Sequence, residues 1–600
     1  MPVRSVPAAL VAALLSACGA ATPDDVSSDI AEVPPLAVHE ICFTGPQTHE
    51  ADSVNPFLHT RLALELTGPG GLRRTLPGFF AADGAAANSS ADAGDQWCVR
   101  LREELPGTYT YTTHFGRGDS LALRPLDVVA AEAFAADGLI DSFRITGGAP
   151  GPGFAARLRY DGSRYLRLGD STWLKAGTNS PENLLSFADI DGTYGYDTAK
   201  QFVKTYADHV RDWRPGDPTW GGSAAKGKGL VGALNYLHSA GVNAVYFVTN
   251  NIGGDARDVW PYVDHETFDR FDVSKLEQWD AVMSHAQARG IALQVVTQEA
   301  ENETLLDGGD TGPLRQLYYR ELIARFGHHP ALIWNLGEEN GPTPWNEDPY
   351  QTDAQRRAMV AYFTAADPYQ HPLVIHTLPD AAQKPGVLDP LLGLDGLDGL
   401  SLQISNPAEV HAEVVRWTRR SARSGRPWAC AMDEIGPWHT GAMDDLDDPA
   451  HDTLRREVLY GALLGGAYGV EWYYGWHGRQ HDLNAEDFRA RASLWEQTRH
   501  AVEWLGELPL PEMSVADERV AAGEAWLLAA PGRAYAAYLP RGGRADLLLA
   551  GDEAGYELTW LNPLTGERTT AADAVRPRDG RLTLTAPDDE QDWAASLTRT

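Results

Sequence analysis

The sequence predicts a multidomain protein of α/β and all-β parts, in which a central (β/α)8 barrel lies between two β-sandwiches. Short apolar strands alternate with helical patterns over residues 155–509. These strands are apolar on both faces, which is typical of a parallel sheet that is covered by helices. The flanking regions 35–128 and 510–600 are rich in β-forming residues and are interrupted by Gly and Pro turns, as in antiparallel sandwiches.

Length and composition limit the function classes. A chain of 600 residues is long enough for about four domains, or for one large barrel with smaller neighbours. Its 50 basic and 83 acidic side chains give a formal net charge of −33. This acidity argues against a nucleic acid partner, because phosphate binding needs clustered Lys and Arg. A neutral or a cationic substrate remains compatible with it.

The first residues predict export. Residues 1–18 have a basic start followed by the apolar run Ala8–Leu15, which is too short to span a bilayer. The segment Leu15–Gly19 resembles a bacterial lipobox, which implies that Cys18 is lipidated; the alternative is a plain signal peptide cleaved nearby. Residues 19–34 read as a polar tether. We therefore expect a membrane-anchored lipoprotein, periplasmic or on the cell surface, that meets the membrane only through its N-terminal lipid.

Residues 35–128 predict an immunoglobulin-like sandwich, and the Gly- and Pro-rich stretch within 129–154 predicts a linker. The strand-like runs of the sandwich include Arg61–Leu66, Gln96–Leu101 and Thr108–His114. Cys42 lies in a further run, His39–Phe43, and Cys98 lies in Gln96–Leu101. In an exported protein they are expected to form a disulfide, the alternative being two buried thiols.

The barrel follows, with eight predicted strands and helical patterns between them. Eight strands favour a closed barrel over an open sheet. The predicted helices are Ser274–Ala288, Pro313–Phe326, Asp353–Ala365, Ala408–Ser424, Thr453–Leu464 and Ala485–Leu505. The predicted strands are Tyr165–Gly169, Asn243–Thr249, Ile291–Gln298, Ala331–Leu336, Pro372–Thr377, Gly399–Ser405, Pro427–Met432 and Gly469–Tyr474.

The carboxyl ends of these strands are the expected site, since reactive groups of such barrels collect there. They carry carboxylates, amides and aromatic rings. Aromatic faces can cover the apolar side of a pyranose ring while carboxylates and amides bind its hydroxyls, so a sugar-binding cleft is predicted. The expected substrate contacts are Asp170, Trp173, Asn250, Asn251, Asp255, Gln298, Glu299, Glu301, Asn335, Glu338, His376, Gln403, Trp472, Tyr474 and Trp476.

Two of the strands, on roughly opposite sides of the ring, end in glutamates. Glycoside cleavage needs one carboxyl group to protonate the leaving oxygen and a second to attack the anomeric carbon or activate water. Strand seven offers Glu434 as the second group. On strand four, side-chain alternation points Glu339 into the barrel with Asn335, and Glu338 is the fallback acid/base.

These motifs resemble glycoside hydrolase clan A, the retaining (β/α)8 enzymes. Trp334-Asn-Leu-Gly-Glu-Glu339 resembles the acid/base strand of the clan, and Met432-Asp-Glu-Ile-Gly436 resembles its nucleophile strand. The resemblance implies that Glu339 is the general acid/base and Glu434 the nucleophile. The clan usually has Asn before the acid/base, contacting the sugar 2-hydroxyl, whereas this chain has Glu338. Trp472 or Trp476 would match the clan's strand-eight aromatic residue.

The flanking domains carry resemblances of their own. Trp97–Phe115 resembles an immunoglobulin-like module that precedes such barrels in bacterial polysaccharide-degrading proteins. Trp560–Gly566 and Asp592-Trp593 resemble a C-terminal sandwich usually labelled a collagen-binding domain of a collagenase. Because the sequence has no His-Glu-x-x-His motif, a metalloprotease is not expected. We expect no metal and no cofactor.

The sequence therefore predicts a retaining glycosidase that acts on a poly- or oligosaccharide, with carboxyl groups about 5–5.5 Å apart. We expect a raised pKa for Glu339, through burial and the charge of Glu434, and an ordinary pKa for Glu434. Two alternatives stay open: a Ser171-dependent carbohydrate esterase using Asp448 and His451, and a non-catalytic carbohydrate-binding or adhesive surface lipoprotein. The sugar, the linkage, endo or exo action and the oligomeric state are left open.

Overall fold

A computed structural model describes residues 30–200, 202–344, 349–549 and 554–600. The lipobox with Cys18, and the signal segment 1–18 as a whole, lie outside the described residues. Within the described ranges, no helix combines the length and apolar character needed to cross a bilayer.

Eight parallel strands form a closed barrel, as predicted. The barrel closes because its first strand pairs on one side with the second and on the other with the eighth, through Gly177 to Ala244 and Lys175 to Gly469. In chain order, barrel strands one to eight are Lys175–Thr178, Ala244–Val248, Ala292–Val296, Leu332–Asn335, Leu373–His376, Gly399–Ile404, Ala429–Ile435 and Gly469–Trp472.

The prediction for strand one was wrong. Residues Leu166–Leu168 lie in a small antiparallel sheet with Leu158–Tyr160 and Ser171–Trp173, outside the barrel. The true first strand begins at Lys175, whose fully buried ammonium lies 2.6 Å from Asp433 Oδ1 and 3.2 Å from Glu471 Oε2. A lysine inside a strand hides the apolar pattern from the sequence, and here two carboxylates satisfy it within the barrel.

Helices surround the barrel close to the predicted positions. The helix Asp353–Ala366 starts at a capping box, in which Thr352 and Gln355 bond each other's backbone N–H groups. The helix Val273–Ala288 starts at Asp272, whose side chain accepts a hydrogen bond from the Lys275 N–H. The other helices of five or more residues among the described ones are Ala207–Asp212 (a 3-10 helix), Lys228–Ser239, Pro313–Phe326, Lys384–Leu388, Val410–Arg423, Leu454–Leu459 (a π-helix) continuing into Tyr460–Leu464, and Ala492–Gly506.

The N-terminal sandwich is larger than predicted. Ala31–Val33 pairs in parallel with Ile140–Ile145, so part of the predicted tether and part of the predicted linker are strands of this domain. Cys42 and Cys98 form a disulfide between paired strands, as expected. One sheet contains Ala31–Val33, Thr60–Gly68, Leu72–Pro77, Gly107–Arg117, Glu132–Ala133 and Ile140–Ile145; the other contains His39–His49, Phe79–Phe80 and Ala93–Leu101; short helices are Pro56–His59 and Ala86–Ser89.

The C-terminal region is a second all-β unit of two sheets around its own apolar cluster. The larger sheet contains Ser514–Val515, Trp526–Ala530, Ala534–Leu539, Tyr556–Leu561, Arg568–Thr570 and Trp593–Arg599. The smaller sheet contains Val520–Ala522, Arg544–Leu548 and Arg581–Thr585.

Buried arginines of the barrel fasten both flanking domains. Arg325 donates to the backbone oxygen of Phe80 in the N-terminal sandwich at 2.7 Å. Arg455 forms two hydrogen bonds with Asp592 of the C-terminal sandwich, at 2.7 and 2.9 Å. None of these three residues reaches solvent, so each needs buried partners. The charge of Arg325 is balanced within the barrel by Glu321 and Glu277, whereas Arg455 pairs with Asp592 across the domain boundary.

Candidate active site

A cavity of about 380 Å³ opens at the carboxyl ends of the barrel strands. Most of its polar lining consists of carboxyl groups, and its rim carries three aromatic residues. The lining residues are Glu182, Asp255, Glu299, Ala300, Glu301, Glu338, Glu339, Pro379, Gln403, Ser405, Glu434, Gly436, Trp438, Tyr473 and Trp476.

One amide joins the two glutamates that the sequence singles out. Gln403 Nε2, on strand six, donates to Glu339 Oε1 at 2.7 Å and to Glu434 Oε1 at 2.6 Å. These two carboxylate oxygens are therefore no farther apart than the sum of the two distances. Gln403 thus holds both carboxyl groups on one side of the cavity, within reach of a single bond of a substrate.

The backbone at the end of strand four turns sharply to present both glutamates. Glu339 has a left-handed backbone conformation with φ of 50°, which is uncommon for a residue other than glycine. Its N–H donates to His376 Nδ1 at 2.9 Å, which holds this turn in place. Because strand alternation ends here, Glu338 and Glu339 both face the cavity, although alternation predicted only Glu339.

His376 lies beneath the glutamates as a link between them. Because its Nδ1 accepts the Glu339 N–H, the proton of the neutral ring is on Nε2. That nitrogen lies 3.3 Å from Glu434 Oε2. The histidine is fully buried and is not among the residues that line the cavity, so its contacts in this structure are with the two glutamates.

A bulge in strand seven brings Glu434 into the cavity. The pairing register of strands six and seven shifts between Leu402 and Gln403, which leaves Asp433 as an extra residue. Asp433 points into the barrel and bonds Lys175. The bulge lets the next residue, Glu434, face the interior as well, against the simple alternation of a strand. The carboxylates of Asp433 and Glu471 raise the pKa of Lys175, although burial alone would lower it, so the lysine stays charged beneath the site.

The cavity lining also holds a second set of carboxyl groups. Carboxylate oxygens of Glu182, Glu299 and Glu338 lie within 4.8 Å of one another. Burial raises the pKa of all three well above the ordinary range, and the charges of their acidic neighbours raise it further. Burial and the charge of Glu434 likewise raise the pKa of Glu339, as expected for a general acid. Among the described residues of the cavity, these three glutamates are also the ones whose oxygens lie close enough together to bind a metal ion.

These raised pKa values predict that stability falls as pH rises. Burial, and then the charge of Glu301, raises the pKa of Asp255 from 3.8 to about 7. Between those values the folded protein binds more protons than the unfolded chain, so each such group costs about 1.4 kcal/mol per pH unit as pH rises through that window. We expect the melting temperature to fall between about pH 4 and pH 7, as measured by differential scanning fluorimetry. Asp255→Asn should flatten this fall, and an unchanged slope would contradict the raised pKa.

Aromatic side chains form the rim. Trp438, directly after strand seven, is 64% exposed, and its backbone oxygen accepts hydrogen bonds from the Trp476 N–H and the Tyr473 hydroxyl. Exposed tryptophan is unusual on a surface without a binding role, and a flat indole can cover the apolar face of a sugar ring. Of the three, only Trp476 was predicted.

Eight of the predicted residues line the cavity: Asp255, Glu299, Glu301, Glu338, Glu339, Gln403, Glu434 and Trp476. Residues that the sequence reasoning missed include Glu182, Trp438 and Tyr473. Glu182 follows the true strand one, and Tyr473 lies between the two strand-eight aromatics that were chosen. Trp438 had a usable signal, since it stands four residues after the strand-seven glutamate.

The other predicted contacts lie elsewhere. Asp170 is exposed in the turn of the small antiparallel sheet, and Trp173 packs against Tyr468. Ser171 is in the same hairpin and is not among the residues that line the cavity, while His451 bonds Asp445 and lies 3.6 Å from Asp448. The remaining side chains are held by neighbours outside the lining: Asn250 by Ile252, Asn251 by Asp258, Gln298 by Arg315 and Gln351, Asn335 by Gly337, Trp472 by Thr498 and Tyr474 by Thr178.

Comparison with solved structures identifies the fold of the chain that carries this site. A Bacteroides vulgatus protein presumed to be a glycoside hydrolase aligns with a TM-score of 0.64 at 14% identity, over 95% of this chain and all of that one. The chain has the fold of glycoside hydrolases. A structure described only as a glycoside hydrolase has a TM-score of 0.53 at 13% identity, covering 74% of this chain and 97% of its own. A family 5 glycoside hydrolase from Bacteroides vulgatus has a TM-score of 0.51 at 14% identity, with 74% and 93% coverage.

Sequence comparison adds little to this glycoside hydrolase fold. Residues 32–116, in the N-terminal sandwich, match a domain family described as of unknown function, DUF5060. No protein of curated function matches the sequence. At such low identity the solved structures show the shared fold and carry no residue roles to this chain.

Proposed function

We propose that the protein is a retaining glycoside hydrolase that cleaves O-glycosidic bonds of a poly- or oligosaccharide, with Glu339 as general acid/base and Glu434 as nucleophile. The observation that carries this proposal is the Gln403 amide, which binds both carboxylates at 2.7 and 2.6 Å. The resulting limit on the separation of these oxygens agrees with the about 5–5.5 Å of retaining enzymes and falls short of the about 6.5–9.5 Å that an inverting enzyme needs for its water.

In the first step, a carboxylate oxygen of Glu434 forms a bond with the anomeric carbon while the glycosidic C–O bond breaks. Glu339 donates its proton to the leaving oxygen, so the aglycone departs as an alcohol. Burial and the nearby charge of Glu434 raise the pKa of Glu339, which keeps it protonated for this role. Gln403 can donate to both carboxyl groups but stays neutral, so it orients Glu434 without a competing charge.

In the second step, water attacks the anomeric carbon and the ester bond to Glu434 breaks. Glu339, now a carboxylate, accepts the proton of that water. While Glu434 is esterified its negative charge is gone, which lowers the pKa of Glu339 and suits it to act as a base. The coupling of the two carboxyl groups thus supports both halves of the cycle.

Glu339 is favoured over Glu338 by its hydrogen bonds. Glu339 shares Gln403 with Glu434, whereas Glu338 lies in the cluster with Glu182 and Glu299. The backbone of Glu339 is also held by His376, whose other nitrogen faces Glu434. One set of contacts therefore sets the distance between the acid/base and the nucleophile.

The lipobox supports the further proposal that the protein is an exported, membrane-anchored lipoprotein. In that setting the three-aromatic rim of the cavity would meet polysaccharide outside the cytoplasm. A carbohydrate-binding protein without activity would have the same rim, and release of sugar distinguishes the two.

The test is incubation of the purified protein with a panel of plant, algal and microbial polysaccharides, with released sugar detected by its reducing ends. We expect release from at least one polymer, and proton NMR of the first product should show the anomeric configuration of the substrate. Inverted product would contradict the retaining mechanism. Binding of a polymer without release would support the non-catalytic alternative.

A further inference from the structure

Three buried carboxyl groups of the cavity lining lie close to one another. Glu182 follows strand one, Glu299 follows strand three and Glu338 follows strand four, and their oxygens lie within 4.8 Å of one another. Their exposed fractions are 6%, 3% and 6%. We call these three residues the carboxylate trio. Glu299 is fixed by the Asp255 N–H, which donates to its Oε2 at 2.9 Å.

The cavity contains no balancing cation. Seven carboxyl groups line it, and no lysine or arginine among the described residues does so. The buried Lys204 is not in the lining, and its ammonium is bonded to Asn183 and to the backbone oxygen of Phe202. Mutual repulsion of buried carboxyl groups is costly, so a cationic ligand would stabilise this wall.

Independent polar groups around the trio lack partners. Oε1 of Glu182 and Oε1 of Glu299 are buried and accept no hydrogen bond from the described residues. The hydroxyl of Tyr246, on strand two, is also without a hydrogen bond, and Tyr246 is only 1% exposed. The charge of Glu338 is the largest one acting on the pKa of Tyr246, which places this hydroxyl beside the trio. These groups are arranged to bind something that donates hydrogen bonds and carries positive charge.

We propose that the carboxylate trio binds the free ammonium group of an amino sugar, so that the substrate class is a polymer or oligomer with unacetylated amino sugar residues. This inference rests on the proposed function for the sugar and on the trio for the amine. An ammonium carries three donors and no acceptor, which matches one oxygen from each glutamate. Its nitrogen can lie about 2.8 Å from each oxygen when those oxygens are spaced as they are here.

The surroundings favour an amino sugar over a divalent cation. The aromatic rim formed by Trp438, Tyr473 and Trp476 belongs to the same cavity, and it suits the apolar face of a pyranose ring. Burial and neighbouring charges raise the pKa of every member of the trio, which disfavours ionisation of all three together. Ca²⁺ needs six to eight oxygen ligands that include ionised carboxylates, whereas an ammonium needs one net negative charge.

The test is calorimetric titration of the full chain with glucosamine, galactosamine and mannosamine, each paired with its parent hexose and its N-acetyl form. We expect at least one amino hexose to bind about tenfold tighter than its parent, which is about 1.4 kcal/mol. Glu299→Gln should abolish that difference, and Glu182→Gln serves as a second variant if the first does not fold. Asp170→Asn, which removes an exposed carboxylate outside the cavity, should leave the difference unchanged.

Equal binding of amino and parent hexoses, or a preference that survives Glu299→Gln, would overturn the proposal. Thermal stabilisation by calcium chloride that is lost in Glu299→Gln, without amine binding, would make the trio a divalent-cation site and also overturn it. Release of neutral sugars without amine preference would leave the glycosidase proposal standing. Amine binding without hydrolysis of any polymer would leave this inference standing and contradict the glycosidase.

Discussion

Glu434→Gln is expected to reduce kcat for the best polysaccharide by at least about 10⁴-fold, since removal of a nucleophile costs this much or more in other hydrolases. An amide has no negative charge and attacks the anomeric carbon poorly. The substituted side chain keeps its size. Its amide can still form a hydrogen bond with Gln403 if the Gln403 amide rotates by half a turn. The fold should therefore survive, and sugar release should be measured together with the melting temperature.

A matched control separates this loss from a general effect of charge. Asp170→Asn also removes one carboxylate but lies on the surface outside the cavity, so its kcat should equal that of the wild type. Equal release by Glu434→Gln and the wild type would mean that strand seven does not supply the nucleophile. A partial loss that appears only in KM would point to a binding role for Glu434.

Glu339→Gln is expected to reduce hydrolysis of natural linkages by about 10²–10⁴-fold, the usual contribution of a general acid. The loss should depend on the leaving group. An aryl glycoside with an acidic phenol departs without protonation, so its first step should be nearly unchanged. Kinetics on a series of aryl glycosides should therefore show a steep dependence on phenol pKa in the variant and a shallow one in the wild type.

The neighbouring residue provides the comparison for this experiment. Glu338→Gln removes a carboxyl group one position earlier, in the carboxylate trio and not on Gln403. The loss of rate in this variant should depend on which sugar the substrate contains and not on its leaving group. If instead Glu338→Gln showed the leaving-group dependence and Glu339→Gln did not, the acid/base would be Glu338.

Strands two to eight could be predicted to within a few residues because each is an apolar run between polar strand ends. Strand one could not, since its residues include a lysine that is satisfied only in three dimensions, by Asp433 and Glu471. The more apolar run around Leu166 was chosen in its place. A short apolar run indicates that a strand is buried. It does not distinguish a barrel strand from a strand of a hairpin that packs beside the barrel.

The sequence predicted those site residues that form a recognisable pair at strand ends. It did not predict those whose direction depends on a local departure from regular strand geometry. Paired glutamates on strands four and seven identified both proposed catalytic residues. Side-chain alternation gave the wrong direction for Glu338, because the left-handed turn at Glu339 lets Glu338 and Glu339 both face the cavity. On strand eight it would have helped, since Glu471 points inward to Lys175 and Tyr473 therefore lines the cavity, whereas Trp472 turns to a helix.

The buried arginines that join the domains have a consequence for how the molecule meets a polymer. Arg325 gives one of its buried donors to a backbone oxygen of the N-terminal sandwich, and Arg455 pairs with a buried carboxylate of the C-terminal one. Cutting out the barrel alone would strand these groups, so the isolated barrel is a poor candidate for expression. We therefore expect the two sandwiches to keep a fixed orientation relative to the barrel. Under the proposed function, a long polysaccharide chain would have to fit the surface of all three domains for one of its bonds to reach the cavity.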